Sequence, residues 1–170
     1  YERSGGGVTV SGGEPLLQSD FIRELFKVCK DEGIETCCES SFYTDWNEIE
    51  KILPYTDLII SDIKHMDTDI HKKYTGVDNE KILENLKKLT KKEQDLILRI
   101  PIIPNVNDDM DNIKATADFI LNELGGRVRT LQLLSFMRLG EEKYCSLDMP
   151  YKMKDVEVDR ELFQKHVSEI

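Results

Sequence analysis

Long apolar runs are missing from this chain of 170 residues: no stretch is long enough to cross a bilayer as a helix, and no signal-peptide pattern is present. That argues against a membrane protein. Basic residues are in deficit, 23 against 33 acidic, giving a net charge of −10, and no basic stripe with interleaved aromatics occurs. Nucleic acid is therefore excluded as an expected partner, and the acidity is what solubility alone requires. Cysteines are few. The four, Cys29, Cys37, Cys38 and Cys145, show neither C-x-x-C nor C-x-x-x-C spacing. Adjacent Cys37 and Cys38 on a strand face opposite sides and make a poor joint metal site. The expectation is four reduced, mostly packed thiols in a reducing compartment, hence a cytoplasmic protein. Low-complexity linkers are also absent, and 39% hydrophobic with 33% charged residues is ordinary for one globular domain spanning 1–170.

What is present begins with SGGGVTVSGGEPL, from Ser4 to Leu16. A short apolar strand around Val8 to Val10 opens into Ser11-Gly12-Gly13-Glu14-Pro15, whose glycines let another molecule approach the backbone. A glycine-rich loop between strand and helix often holds phosphate. The P-loop form, however, needs Gly-Lys-Ser/Thr after the turn, and the dinucleotide form needs G-x-G-x-x-G. Neither occurs, and Glu14 would repel a phosphate. Carbonyls bared by Gly12 and Gly13, with one carboxylate, suit an ammonium group.

Strand and helix patterns then alternate with a period of roughly thirty residues, the size of a βα unit. Ile22, Leu25, Phe26 and Cys29 keep helical spacing, and Gly33 stands where a helix ends. A strand is expected over 34–38. Asp45 and Glu48 have capping-box spacing ahead of Ile49, Ile52 and Leu53, and Pro54 ends that helix. Leu58, Ile59 and Ile60 read as a parallel strand covered on both faces. A helix over 81–91, a strand over 96–103, a helix from Ile113 to Leu124, a strand over 128–136 and a last amphipathic helix through Leu162, Phe163, Val167 and Ile170 complete the pattern. With no antiparallel hairpin, this is an α/β protein with a parallel sheet, either doubly wound or curved toward a barrel.

Two places on these strands hold charge. Asp62 and Lys64 lie two apart at the end of the Leu58 strand, so they share a face if the strand continues; the pair reads equally as a grip on a zwitterion or as a solvated turn. Arg99 sits between Leu98 and Ile100 and must reach a rim or find an anionic partner, with Asp62 and Glu39 as candidates. His65, His71 and His166 lack ligand spacing and are expected on the surface.

The paired SGGGVT and SGGEPL, followed in order by DLIISDIKHMD (57–67), LRIPIIPNVNDD (98–109) and LQLLSFMRLGEEKY (131–144), resemble the radical SAM superfamily. Their form is closest to activating enzymes of glycyl radical enzymes, of the pyruvate formate-lyase-activating type. The resemblance implies an incomplete parallel (β/α) barrel, a partial TIM barrel with the cofactor at the C-terminal ends of the strands. Strands near Val8, Glu35, Leu58, Leu96 and Leu131 give about five βα units, one fewer than the usual core.

By resemblance, Gly12, Gly13, Glu14, Asp62, Lys64 and Arg99 bind S-adenosylmethionine, Asp62 at its amino group and Lys64 at its carboxylate. Glu39 and Ser40 stand where the activator has an aspartate and a threonine that, with the Asp62 equivalent and the cofactor's carboxylate, help hold a monovalent cation; a local turn or cap is the alternative role. Met137 stands at the place of a histidine that packs near the adenine. No acid-base residue is assigned, because the cofactor performs the hard step.

The resemblance also implies a [4Fe–4S] cluster on C-x-x-x-C-x-x-C, a motif these residues lack. The expectation is a C-terminal portion of a longer polypeptide whose cluster cysteines precede the glycine loop, inert by itself. The longer protein would cleave S-adenosylmethionine and abstract hydrogen from a glycine of a partner glycyl radical enzyme, with reduced flavodoxin or ferredoxin as electron donor. A radical SAM enzyme acting on a small molecule and a non-enzymatic half-barrel binding module are the alternatives.

Overall fold

A computed structural model describes residues 6–92, 94–151 and 153–169. Its five strands are β1 (Gly7–Val10), β2 (Glu35–Glu39), β3 (Leu58–Asp62), β4 (Asp95–Ile102) and β5 (Thr130–Ser135), all parallel and hydrogen-bonded in the order β1-β2-β3-β4-β5. Between them run α1 (Ser19–Asp31), α2 (Trp46–Ile52), α3 (Thr68–Thr75), α4 (Glu80–Lys91) and α5 (Met110–Asp118). Two more helices, α6 (Glu141–Ser146) and α7 (Arg160–Glu169), follow β5. A strand order that never reverses, combined with right-handed crossovers, places every crossover helix on one face of the sheet. This is the winding of a partial barrel; a doubly wound sheet needs a reversal.

Alternation along the strands divides the sheet into two faces. On β4, Leu96, Leu98, Ile100 and Ile102 are at most 4% exposed, whereas Ile97, Arg99 and Pro101 between them are half-buried. Leu96 and Leu98 join Cys38, Ile59, Phe26, Ile49, Leu86 and Leu89 in one core under the helices, while Ile100 and Ile102 pack with Ile113 in a second, smaller cluster. Each such side chain contributes about 1.5–3 kcal/mol by leaving water. The helices thus cover one face of β3, not both as its apolar run predicts, although Ile60 on the concave face is only 8% exposed.

Helix α1 turns Ile22, Phe26 and Cys29 inward and ends at Gly33, whose φ of +68° suits glycine. Pro54 ends α2 in a short 3₁₀ turn, as expected. The capping box does not form: Asp45 precedes α2, but its carboxylate pairs with Lys81 at 2.9 Å, while Glu48 turns to Lys51 and Ser19. Helix α3 was not foreseen, because Thr68–Thr75 buries only His71 and carries no apolar stripe. His65 and His71, expected on the surface, are 6% and 4% exposed. Each is used locally: His71, within α3, places Nδ1 2.8 Å from the Val77 carbonyl oxygen, and His65 Nδ1 accepts from the Asp67 N–H at 2.9 Å. The His166 side chain lies outside the described residues, as do Ser4 and Gly5 of the glycine-rich run. Cys29, Cys37 and Cys38 are buried free thiols and Cys145 is exposed. Burial pushes the Cys38 thiol up to about 12, so it stays protonated and unreactive.

Candidate functional site

The loops leaving the C-terminal ends of β1, β2 and β3 enclose a cavity of about 360 Å³. Gly12, Gly13 and Glu14 form one wall, Glu39, Ser40 and Ser41 a second, and Ser61, Asp62 and Lys64 a third. Parallel register explains the convergence: Val10 lies beside Cys38 and Glu39 beside Ile60, so the strands end close together and their loops emerge side by side.

Glu14 is the most heavily bonded residue of the three walls. Its Oε1 accepts from the Leu16 N–H at 3.1 Å and the Ser40 hydroxyl at 2.6 Å, and its Oε2 from the Ser41 N–H at 3.1 Å and hydroxyl at 2.6 Å. An ionised carboxylate offers about four lone-pair sites, so the protein itself fills them. All four donors are neutral. Glu14 therefore latches the β1 loop onto the β2 loop while its negative charge stays unpaired among the described residues. Gly12 holds φ +107° with open space around it, a backbone that glycine adopts without strain. Among the described residues no hydrogen bond reaches the carbonyls of Gly12 or Gly13, which leaves both able to accept from an ammonium group.

The concave face supplies the remaining charges. Asp62 ends β3 and its Oδ2 lies 3.2 Å from Lys64 Nζ, so the two meet although the strand stops between them. Asp62 pairs in register with Arg99 on β4, and Arg99 with Gln132 on β5. The Arg99 guanidinium forms an ion pair with Glu39, Nη1 to Oε1 at 3.0 Å, and donates from Nε to Gln132 Oε1 at 3.2 Å. Of the two anionic candidates for Arg99, Glu39 is the partner found. Ser40 Oγ, besides donating to Glu14, accepts from the Phe42 N–H at 2.9 Å in a local turn. Met137 follows β5, is 65% exposed and is not among the wall residues.

Residues without an obvious chemical signature hold these loops in place. Asn107, fully buried, donates from Nδ2 to the carbonyls of Lys64 and Pro101 at 2.7 Å each and accepts from the Ile103 N–H at 2.6 Å. Asn112 accepts from the Met66 N–H, and Asn79 donates to the carbonyls of His65 and Met66, each at 2.9 Å. Asn85 clamps the carbonyls of Phe42 and Thr44, which retains Phe42 at a left-handed φ of +57°. Ser41, Asn107 and Gln132 carry no motif of their own. The available signal is that Asn107 and Gln132 lie within the 98–109 and 131–144 segments already singled out.

A singly wound parallel sheet with a charged cavity at the C-terminal ends of its strands defines a cofactor-binding partial barrel. Residues 1–120 match the radical SAM superfamily, and the chain belongs to that superfamily. It is 71% identical over 167 residues to a (2S)-3-sulfopropanediol dehydratase activating enzyme of Klebsiella oxytoca, covering 98% of this chain and 53% of that protein. It is 40% identical over 166 residues to a pyruvate formate-lyase-activating enzyme of Staphylococcus epidermidis, covering 92% and 64%. The chain thus spans between about half and two thirds of the length of these relatives. Among solved structures, a domain of a pyruvate-formate lyase-activating enzyme from Bacteroides vulgatus superposes with a TM-score of 0.78 at 28% identity, over 96% of this chain and 91% of that one. Coproporphyrinogen III oxidase of Escherichia coli, at 12% identity and a TM-score of 0.60, shares the fold.

Proposed function

We propose that these residues form the S-adenosylmethionine-binding part of an activating enzyme that installs a glycyl radical in a partner enzyme. The observation that carries the reading is the cavity itself: free glycine carbonyls, a latched but uncompensated carboxylate and an Asp62–Lys64 pair meet at the C-terminal edge of a parallel sheet. The methionine end of the cofactor presents an ammonium and a carboxylate, and these groups answer both. The Gly12 and Gly13 carbonyls and Asp62 take the ammonium, Lys64 takes the carboxylate, and Glu14 holds the loop in shape and supplies negative charge behind it. Arg99 does not line the cavity itself; it pairs with Glu39, which does, and bonds Gln132.

S-adenosylmethionine and a [4Fe–4S] cluster, when bound, supply the radical chemistry. The C-x-x-x-C-x-x-C motif that would hold the cluster is not found in these 170 residues; by the superfamily's pattern it belongs to a stretch ahead of the glycine loop. The 71% relative favours a (2S)-3-sulfopropanediol dehydratase as partner over pyruvate formate-lyase. Reduced flavodoxin or ferredoxin is the proposed electron donor and the cytoplasm the proposed compartment. Among the described residues no helix is long and apolar enough to cross a membrane.

The test is anaerobic incubation of the whole protein with S-adenosylmethionine, a reductant and each candidate partner, read by electron paramagnetic resonance. A glycyl-radical doublet with the dehydratase supports the reading; cofactor cleavage without a doublet in either partner overturns the activating role.

A further inference from the structure

The resemblance to the pyruvate formate-lyase activator places a monovalent cation among Glu39, Ser40, Asp62 and the cofactor's carboxylate, and the residues present do not fit one. An alkali ion needs several oxygen atoms with lone pairs turned toward a common point. Glu39 Oε1 instead faces the Arg99 guanidinium at 3.0 Å. The Ser40 hydroxyl donates to Glu14 and accepts from the Phe42 N–H, so neither its proton nor its acceptor side is idle. Asp62 Oδ2 faces Lys64. One oxygen of each carboxylate, Glu39 Oε1 and Asp62 Oδ2, and the Ser40 hydroxyl thus already face donors or acceptors belonging to the chain.

We propose that Arg99 stands in for that cation, so that the pocket takes S-adenosylmethionine without an alkali ion. This rests on the S-adenosylmethionine reading above. Glu39 and Arg99 come from β2 and β4, strands about 10 Å apart with β3 between them, and their side chains meet across the concave face. A glutamate, one methylene longer than the aspartate that the resemblance puts at this place, has the reach to do so. Gln132 holds the guanidinium from the other side, accepting from its Nε at 3.2 Å. The resulting pair is 25% and 36% exposed, so the charge is partly shielded from solvent competition.

Charge balance points the same way. Glu14, Glu39 and Asp62 against Lys64 and Arg99 leave the site one negative charge. S-adenosylmethionine, with a sulfonium, an ammonium and a carboxylate, carries one positive charge and neutralises it. An added alkali ion would leave the complex with an excess positive charge beside a guanidinium.

Two measurements decide this. Calorimetric titration with S-adenosylhomocysteine in potassium chloride and in tetramethylammonium chloride at equal ionic strength should give wild-type affinities within about twofold of each other, a difference of about 0.4 kcal/mol or less. Glu39→Asp, which shortens the reach, and Arg99→Gln, which removes the charge, should each acquire a potassium dependence of about fivefold or more. Rubidium-soaked crystals, read by anomalous scattering, test the same point with no ligand: wild type should show no peak between Glu39 and Asp62, and Arg99→Gln should gain one. A wild-type rubidium peak there, or wild-type binding that needs potassium, overturns the proposal. Loss of titration in every salt, with clear ligand-free rubidium maps, overturns the S-adenosylmethionine reading instead.

Discussion

Strand β2 carries a carboxylate latch at each end, and the two differ in one respect. At its N-terminal end, Asp57 accepts from the Thr36 N–H at 2.8 Å and hydroxyl at 3.1 Å, and also pairs with Lys30. At its C-terminal end, Glu14 accepts from two serine hydroxyls and two backbone N–H groups, and no lysine or arginine among the described residues pairs with it. Both ends border a hollow, and the N-terminal one, at about 520 Å³, is the larger. Size therefore does not distinguish them. What does is that one latch is electrically closed by its own lysine and the other is left open for a ligand's positive charge. In barrels of parallel strands the N-terminal end serves stability and the C-terminal end chemistry; on the proposed reading the same device, with and without a cation, serves each.

The largest expected effect is at the open end. Asn107→Ala strips partners from the Lys64 and Pro101 carbonyls and the Ile103 N–H, all partly buried, at roughly 2–4 kcal/mol, and frees Lys64 to move. Chemical denaturation should show that loss, and S-adenosylhomocysteine titration a fall in affinity with it. A variant that keeps wild-type stability would mean the clamp holds nothing. Next comes Glu14→Ala, which unlatches the loop at about 2 kcal/mol and should weaken the ligand by about tenfold or more. Equal affinity in wild type and variant would remove Glu14 from the site.

Asp57→Asn should cost about 1 kcal/mol in the same denaturation experiment and leave ligand affinity within about twofold. A large loss of affinity would erase the division of labour between the ends. The smallest effect is a pH slope. Burial pushes the Asp57 carboxyl up, but hydrogen bonds from Lys30 and from the Thr36 N–H and hydroxyl outweigh it and hold it below the usual carboxylate range. Its contribution is therefore full above the unfolded value, near pH 4, and is lost as pH falls through the lower folded value. Urea midpoints measured from neutral to acid pH should fall less steeply in Asp57→Asn than in wild type.

The fold was legible where periodicity speaks. The five strands and the helices Ser19–Asp31, Glu80–Lys91 and Arg160–Glu169 follow apolar spacing to within a few residues. Helix α3 was not, because its one buried side chain is a histidine. The choice between an open and a curved sheet lay in strand order, which spacing cannot state and resemblance could. Within the candidate site, Gly12, Glu14, Asp62, Lys64 and Arg99 stand out by residue type in unusual places. Their partners do not. Ser40 and Ser41 lie 26 and 27 residues from Glu14 and meet it only through the β1–β2 register. Asn107 reaches Lys64 across 43 residues in the same way. Serine and asparagine are common in loops, and nothing local marks the ones that are spent on a neighbour's backbone.

The alternation on β4 has a consequence for error. Arg99 reaches the concave face because Leu98 and Ile100, on either side of it, are fully buried on the other. A slip of one residue in the pairing of β4 with β3 would drive the guanidinium into the core and lift both aliphatic side chains into water. The misaligned chain would forfeit much of its stability at the same stroke as its ligand. On the reading proposed above, folding fidelity and ligand recognition hang on a single strand, and a titration with S-adenosylhomocysteine would count correctly registered molecules as well as measure affinity.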